Sequence, residues 1–546
     1  MTSSRPEKYL VAATPPAEAA VIAAQLGQDL QITVVRTIGH GQAAGGYPPV
    51  ALIETTPERA AALAQMPALY VEPDQRLGWS VLGEHDAGEI AGLTAGPVGE
   101  LQRVVITVED DSGHPVDDAA ICLSGPGLPA LGFTGADGRA ELTVAAETAA
   151  GPELLVVRPA RDCWPARVIR PLLSEGEPIS VRCERIVTTF PSFPDRALSS
   201  WGSKVMGFDL LPPTHRGQGI RIAIIGSGAA ANHPDLAGRL AEGRDLVGQD
   251  DKTWREDPIG TGTHQAVLIA GKDDGTGVTG LAPEAELHIC RTAPGGTCAD
   301  LIEALDYCIE QKIDVALMAS GITADSMLLA AKVNQARQHG IACIAAAGDG
   351  GREIARPAAL PGVLAVGAVG QLGTFPPGSG LAAQLAGPPT PDGLFAPRFA
   401  NHGRGLDCCA PGVAVVSGLP PASYGPVSGT GIAAAHVAAA AVLVLAHHPQ
   451  FGPQASRDAS RVDQLFYLIL AFCRPLPAIG PLRSGAGLPN VPAAVGVAPW
   501  GNHYLPPDGA PHLAAPSLAS RTPEDTLQAA LAPLDAAMQS AGLIPG

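Results

Sequence analysis

The chain has 546 residues, a formal net charge of -18, 46% hydrophobic residues and only 4% aromatic ones. That length suits about three or four domains, with cores built mainly from Ala, Val, Leu and Ile. The acidic balance and the lack of a basic run exclude an ordinary nucleic-acid binder, which needs clustered Lys and Arg to displace counterions. Met1 to Pro16 lacks the basic stretch and apolar run of a secretory signal. The longest apolar stretch, Ile432 to Ala446, is short for a bilayer and contains His436, so it reads as a buried helix rather than a membrane span. The ten cysteines show no CxxC pair and no zinc spacing, which predicts reduced core thiols, no metal and no cofactor. The expected location is cytoplasmic.

Residues 1–80 alternate strand and helix. Tyr9 to Ala13, Ile32 to Val35 and Val50 to Ile53 read as strands, and Pro15 to Leu26 as an alanine-rich helix. Thr56-Pro57-Glu58 is a helix start, with Thr as N-cap and Pro at the first helical position. Ala68 to Asp74 closes the unit as a last strand. The order βαββαβ is the ferredoxin-like α+β arrangement. With its size and its closing "ALYVEPDQ", the segment resembles the inhibitory propeptide of subtilases.

Residues 100–187 change character. Val104 to Val108, Ala119 to Leu123, Ala140 to Val144, Leu154 to Arg158 and Ile179 to Cys183 read as short strands divided by Gly/Asp/Pro turns, which predicts a small β-sandwich. "ITVEDDSG" and "GFTGADGRAELTV" resemble carboxypeptidase-regulatory or Cna-B domains, a resemblance that implies a spacer or protein-contact module.

Over 200–497 strands and helices alternate again. Ile220 to Ile225, Val315 to Met318, Ile341 to Ala347 and Val363 to Val369 are continuous apolar runs, as expected for strands of a parallel sheet covered on both faces. Asp300 to Lys312 and Ser326 to His339 carry helical spacing. The pattern predicts a doubly wound α/β core. Residues 498–546 form a Pro/Ala-rich tail with one helix expected after Thr522-Pro523-Glu524.

Four segments of this α/β region resemble the subtilisin-like serine proteases, the subtilases (peptidase S8), in the family's order. "IRIAIIGSGAAANHPDL" matches the strand that ends in the family's catalytic aspartate, but the aspartate position is Gly226. "GTGTHQAVLIAG" matches the histidine segment, with His264 taken as the general-base position. "IACIAAAGDGG" carries Asp349 where the family has the oxyanion asparagine. "SGTGIAAAHVAAAAVLVLAHHP" matches the nucleophile segment, with Gly431 at the serine.

Acyl transfer of this kind needs a hydroxyl, a base to take its proton and an acid to orient the base. Glycine supplies neither of the first and last. An ionised Asp349 would place negative charge where an oxyanion should be stabilised. The resemblance therefore implies a subtilisin-like fold without its chemistry: a pseudoprotease that binds a peptide or protein partner, with residues 1–80 retained as an intramolecular cap. The rival expectation is a peptidase with a non-standard site made of His264 and Asp349. His233, His436, Cys408 and Cys409 read as structural, and Ser428 and Thr430 as poor substitutes for the nucleophile.

Overall fold

The computed structural model describes residues 5–13, 24–39, 50–66, 69–78, 100–124, 130–146, 152–172, 177–248, 250, 252–452 and 455–497. The expected tail, most of the helix expected over Pro15 to Leu26 and most of the glycine-rich loop before Val50 lie outside these residues.

In the first unit, β1 (Glu7–Ala13), β2 (Thr33–Ile38), β3 (Val50–Thr55) and β4 (Leu69–Pro73) form an antiparallel sheet of order β2-β3-β1-β4. Helix α1 (Pro57–Leu63) starts as the sequence predicts, with Thr56 Oγ1 accepting from Arg59 N at 3.3 Å. β1 is apolar on both faces because both are covered. Tyr9, Val11 and Ala13 pack with Leu63 in the unit's own core, while Leu10 and Ala12 join the core of the α/β body. Alternation sends successive side chains to opposite faces.

The second unit packs a four-stranded sheet against a three-stranded one. The first contains β6 (Ala120–Ser124), β7 (Ala130–Phe133), β9 (Leu154–Arg158) and β10 (Ala166–Ile169). The second contains β5 (Glu100–Asp110), β8 (Arg139–Ala146) and β11 (Ile179–Cys183). Val104, Ile106 and Val108 point inward at every second residue. The short edge strands β7 and β10 carried no clear alternation signal; on β7, Leu131 and Phe133 face solvent. The sandwich touches the α/β body where Asp162 N donates to Tyr424 O at 2.7 Å, and Trp164 is buried in the body's main core.

The body is an eight-stranded sheet. β12 (Arg221–Gly226) lies at its centre between β14 (Glu286–Arg291) and β15 (Val315–Met318). β13 (Leu240–Asp245) flanks β14, and the sheet continues through β16 (Ala342–Ala346) and β17 (Val363–Gln371). β17 then pairs in parallel with β19 (Cys408–Pro411) and antiparallel with the two-residue β18 (Leu394–Phe395), so the predicted parallel sheet has one antiparallel member. Helices α2 (Thr261–Ala270) and α5 (Thr430–His447) fill one side of the sheet, and α3 (Cys298–Glu310) and α4 (Met327–Gln338) cover the other. α5 is 18 residues long and apolar, and 89% of that stretch is buried inside the protein. Its alanines let sheet and helices approach closely around it.

Candidate active site

β12 ends at the carboxyl edge of the sheet, where open α/β folds place their ligands. Gly226 is its last residue, and its carbonyl accepts from Thr292 N at 2.8 Å. The next residue, Ser227, ties the strand end to α2: its Oγ accepts from Gly262 N at 2.9 Å and lies 3.0 Å from Thr261 Oγ1. Asp257 steadies the same turn, accepting from Thr263 N at 2.7 Å.

His264 is not in this site, which corrects the expectation that it holds the general-base position. At 3.6 residues per turn, Thr261 and Gln265 share the face of α2 that looks toward Gly226 and Gly431. His264 points instead at the hairpin of β20 (Val415–Leu419) and β21 (Ser423–Val427), where its Nε2–H donates to Val415 O at 2.8 Å. Its ring is fully buried, Nδ1 has no partner among the described residues, and burial pushes its pKa down to about 4. A base serving this site would have to stand at Thr261 or Gln265. The sequence reading missed both, and the signal lay in the helical spacing of "TGTHQ".

Gln265 spans the two glycines. Its Nε2 donates to Gly431 O at 3.0 Å. A Cβ built at Gly431 would lie 3.1 Å from that nitrogen, and one at Gly226 would lie 3.8 Å from Gln265 Oε1. The side chain is buried, and Oε1 has no hydrogen-bond partner among the described residues.

Asp349 sits beside the start of α5, where its Oδ1 accepts from Thr430 N at 2.7 Å. A carboxylate at a helix N-terminus is favourable to the helix. It also presents an acceptor where an oxyanion would need a donor. Thr430 Oγ1 accepts from Gly348 N at 3.0 Å and Ser428 Oγ from Ala414 N at 2.9 Å, so both hydroxyls are held in structural bonds. His233 is buried and donates through Nε2 to Ser423 O at 3.0 Å. His436, also buried, is bonded to Ile432 O at 3.0 Å, within its own helix. All ten cysteines are free thiols, and Cys408 and Cys409 are buried as expected.

Beside this centre, residues 75–78 run as an extra strand between two edges of the body. Arg76 pairs antiparallel with Thr297, and Gly78 with Gly321. Leu77 N donates to Gly296 O at 2.9 Å and Cys298 N to Gln75 O at 2.8 Å. Leu77 is buried against the core over α3. The preceding acidic residues seat the unit: Glu72 accepts from Met327 N at 3.0 Å and from Ser326 Oγ, while Asp74 accepts from Ala299 N at 3.0 Å. Arg36 completes the contact by pairing with Asp300 and with Glu303.

A central strand end, a helix abutting it and a second helix opening on a glycine turn define an open, doubly wound α/β fold with its candidate site at the carboxyl edge of the sheet. Residues 217–462 match the subtilase family. The chain is 32% identical over 249 residues to the major intracellular serine protease of Bacillus subtilis (strain 168), covering 43% of this chain and 71% of that protein. It is also 32% identical over 252 residues to subtilisin of Bacillus pumilus, covering 45% and 83%. Against subtilisin E of Bacillus subtilis (strain 168) the figures are 32% over 252 residues, 45% of this chain and 60% of that protein. The chain belongs to the subtilase family.

Proposed function

We propose that this protein is a catalytically inactive subtilase, a pseudoprotease, that uses the family's scaffold to hold a peptide or protein partner. One observation carries the reading: positions 226 and 431 have no side chain, and the buried Gln265 is bonded to Gly431 O at 3.0 Å in the space between them. Loss of a nucleophile or base from such a site costs about a million-fold in turnover, a magnitude taken from the triad deletions measured in subtilisin itself. The rival reading, a peptidase working through His264 and Asp349, requires the imidazole to leave Val415 O and the core. The test is incubation of the purified protein with casein and with an irreversible serine-hydrolase probe. No turnover and no labelling are expected; specific labelling at an active-site residue would overturn the reading.

The first unit, on this proposal, is a propeptide-like domain kept as a permanent cap. The insertion of residues 75–78 between Thr297 and Gly321 supports that reading. A chain that cannot cut itself has no route to release such a cap. The sandwich, which resembles protein-contact modules, is a second place for a partner. A cytoplasmic location is part of the proposal, supported by ten free thiols, which suit a reducing compartment.

A further inference from the structure

We infer that Gln265 is the residue that replaced the reaction centre: it fills the volume and makes the tie between α2 and α5, and so disfavours a side chain at position 431. The inference rests on the non-catalytic reading above and adds what holds the site in that state. Three observations meet in this side chain. It is buried deep in the body, with 1% of its surface exposed. Its Nε2 donates to Gly431 O at 3.0 Å, so it bonds the backbone of the helix turn where a nucleophile would stand. A Cβ at 431 would come within 3.1 Å of that same nitrogen, closer than ordinary contact, while its other neighbours, Ala319 Cβ and O, lie at 3.5 and 3.9 Å. Among the described residues, Gln265 alone makes position 431 tight. Position 226 is different, because a Cβ there meets nothing nearer than 3.7 Å among the described residues.

The two glycines thus have separate physical meanings. Gly226 is a vacancy that a small side chain can enter. Gly431 is coupled to Gln265, because a serine there must shift the carboxamide by a few tenths of an ångström against its bond, and weakening the bond of a buried amide is costly. A hydroxyl at 431 is therefore better tolerated when 265 is changed as well.

A double-mutant cycle tests this in the full-length protein, with thermal melting as the readout. Gly431→Ser is expected to lower Tm by roughly 2–4 °C with Gln265 present and by under about 1 °C in the Gln265→Ala background. Gln265→Met, which keeps the volume and loses the bond, should leave Gly431→Ser costly. Gly226→Ala should shift Tm by under about 1 °C in either background. Equal shifts for Gly431→Ser with and without Gln265 would overturn the inference, as would a Gly226→Ala cost as large as that of Gly431→Ser. If Gly431→Ser fails to fold, recovery of a melting transition on adding Gln265→Ala supports the coupling, and no recovery refutes it. Probe labelling of the wild type would instead remove the non-catalytic reading, and the cycle would keep its own answer.

Discussion

Gly78 and Gly321 exchange backbone hydrogen bonds, Gly78 N to Gly321 O at 2.7 Å and Gly321 N to Gly78 O at 3.3 Å. This pair seats the end of the first unit as a strand of the α/β body. The adjoining Leu77 carries the apolar part of the contact. Leu77→Ala should weaken docking of the first unit by about 2–3 kcal/mol, as for other buried leucines. Limited proteolysis would then cut within residues 1–99 faster, while the α/β body keeps its resistance; unchanged cutting would show that Leu77 adds nothing.

Docking should also depend on pH, and in an unusual direction. Burial raises the pKa of Glu72 and, for the same reason, of Asp74. Their charged forms are disfavoured in the docked state, so the docked state holds more protons than the free one just above the ordinary carboxylate range. Docking is then strongest below the free carboxylate values and weakens as pH rises through the raised ones. Glu72 faces Ser326, Tyr70 and the amide of Met327, and Asp74 faces Thr297, Asp300, Lys8 and the amide of Ala299. The protection of amides in β1 and β4, taken relative to their intrinsic exchange rate at each pH, should rise between neutral and mildly acidic pH. Glu72→Gln with Asp74→Asn should flatten that dependence.

The α/β body should show the opposite slope. Burial holds His264 and His436 at pKa values of about 4. The unfolded chain binds protons at about 6.5, before these histidines do, so their contribution is complete above that value and is lost as pH falls toward 4. The loss is on the order of 3 kcal/mol per histidine. Thermal melts of His264→Gln and of the wild type from pH 7 to 4.5 would measure it. A wild-type Tm that does not fall in this window would contradict the assignment.

His264→Ala separates structure from chemistry directly. It should lower the Tm of the body by several degrees, since it empties a fully buried site and orphans Val415 O. It should leave casein turnover where it was, at background. Turnover that is present in the wild type and vanishes in this variant would favour the rival peptidase.

Asp349 is expected to act as a helix cap. Asp349→Ala should cost about 1 kcal/mol through the loss of the bond from Thr430 N. Asp349→Asn keeps an acceptor there and should cost little, and it should restore no labelling by a serine-hydrolase probe. Equal losses from both variants would mean that the cap bond is not what position 349 provides.

The α/β body and the two glycines of the candidate site were legible along the chain. Short continuous apolar runs such as Val315 to Met318 suit strands covered on both faces, and that strand has the predicted bounds. Gly226 and Gly431 have no side chain in any fold, and that much needed no coordinates. Tertiary structure decided what each surviving polar side chain faces. The motif "TGTHQ" offers three candidates within one helical turn, and only the position of α2 against β12 and β20 turns Thr261 and Gln265 to the site and His264 to the core. The same holds for β1, whose uniform apolarity is silent about which face meets the unit's own core and which meets the body. Periodicity along a chain fixes which residues share a face; only packing fixes what that face meets.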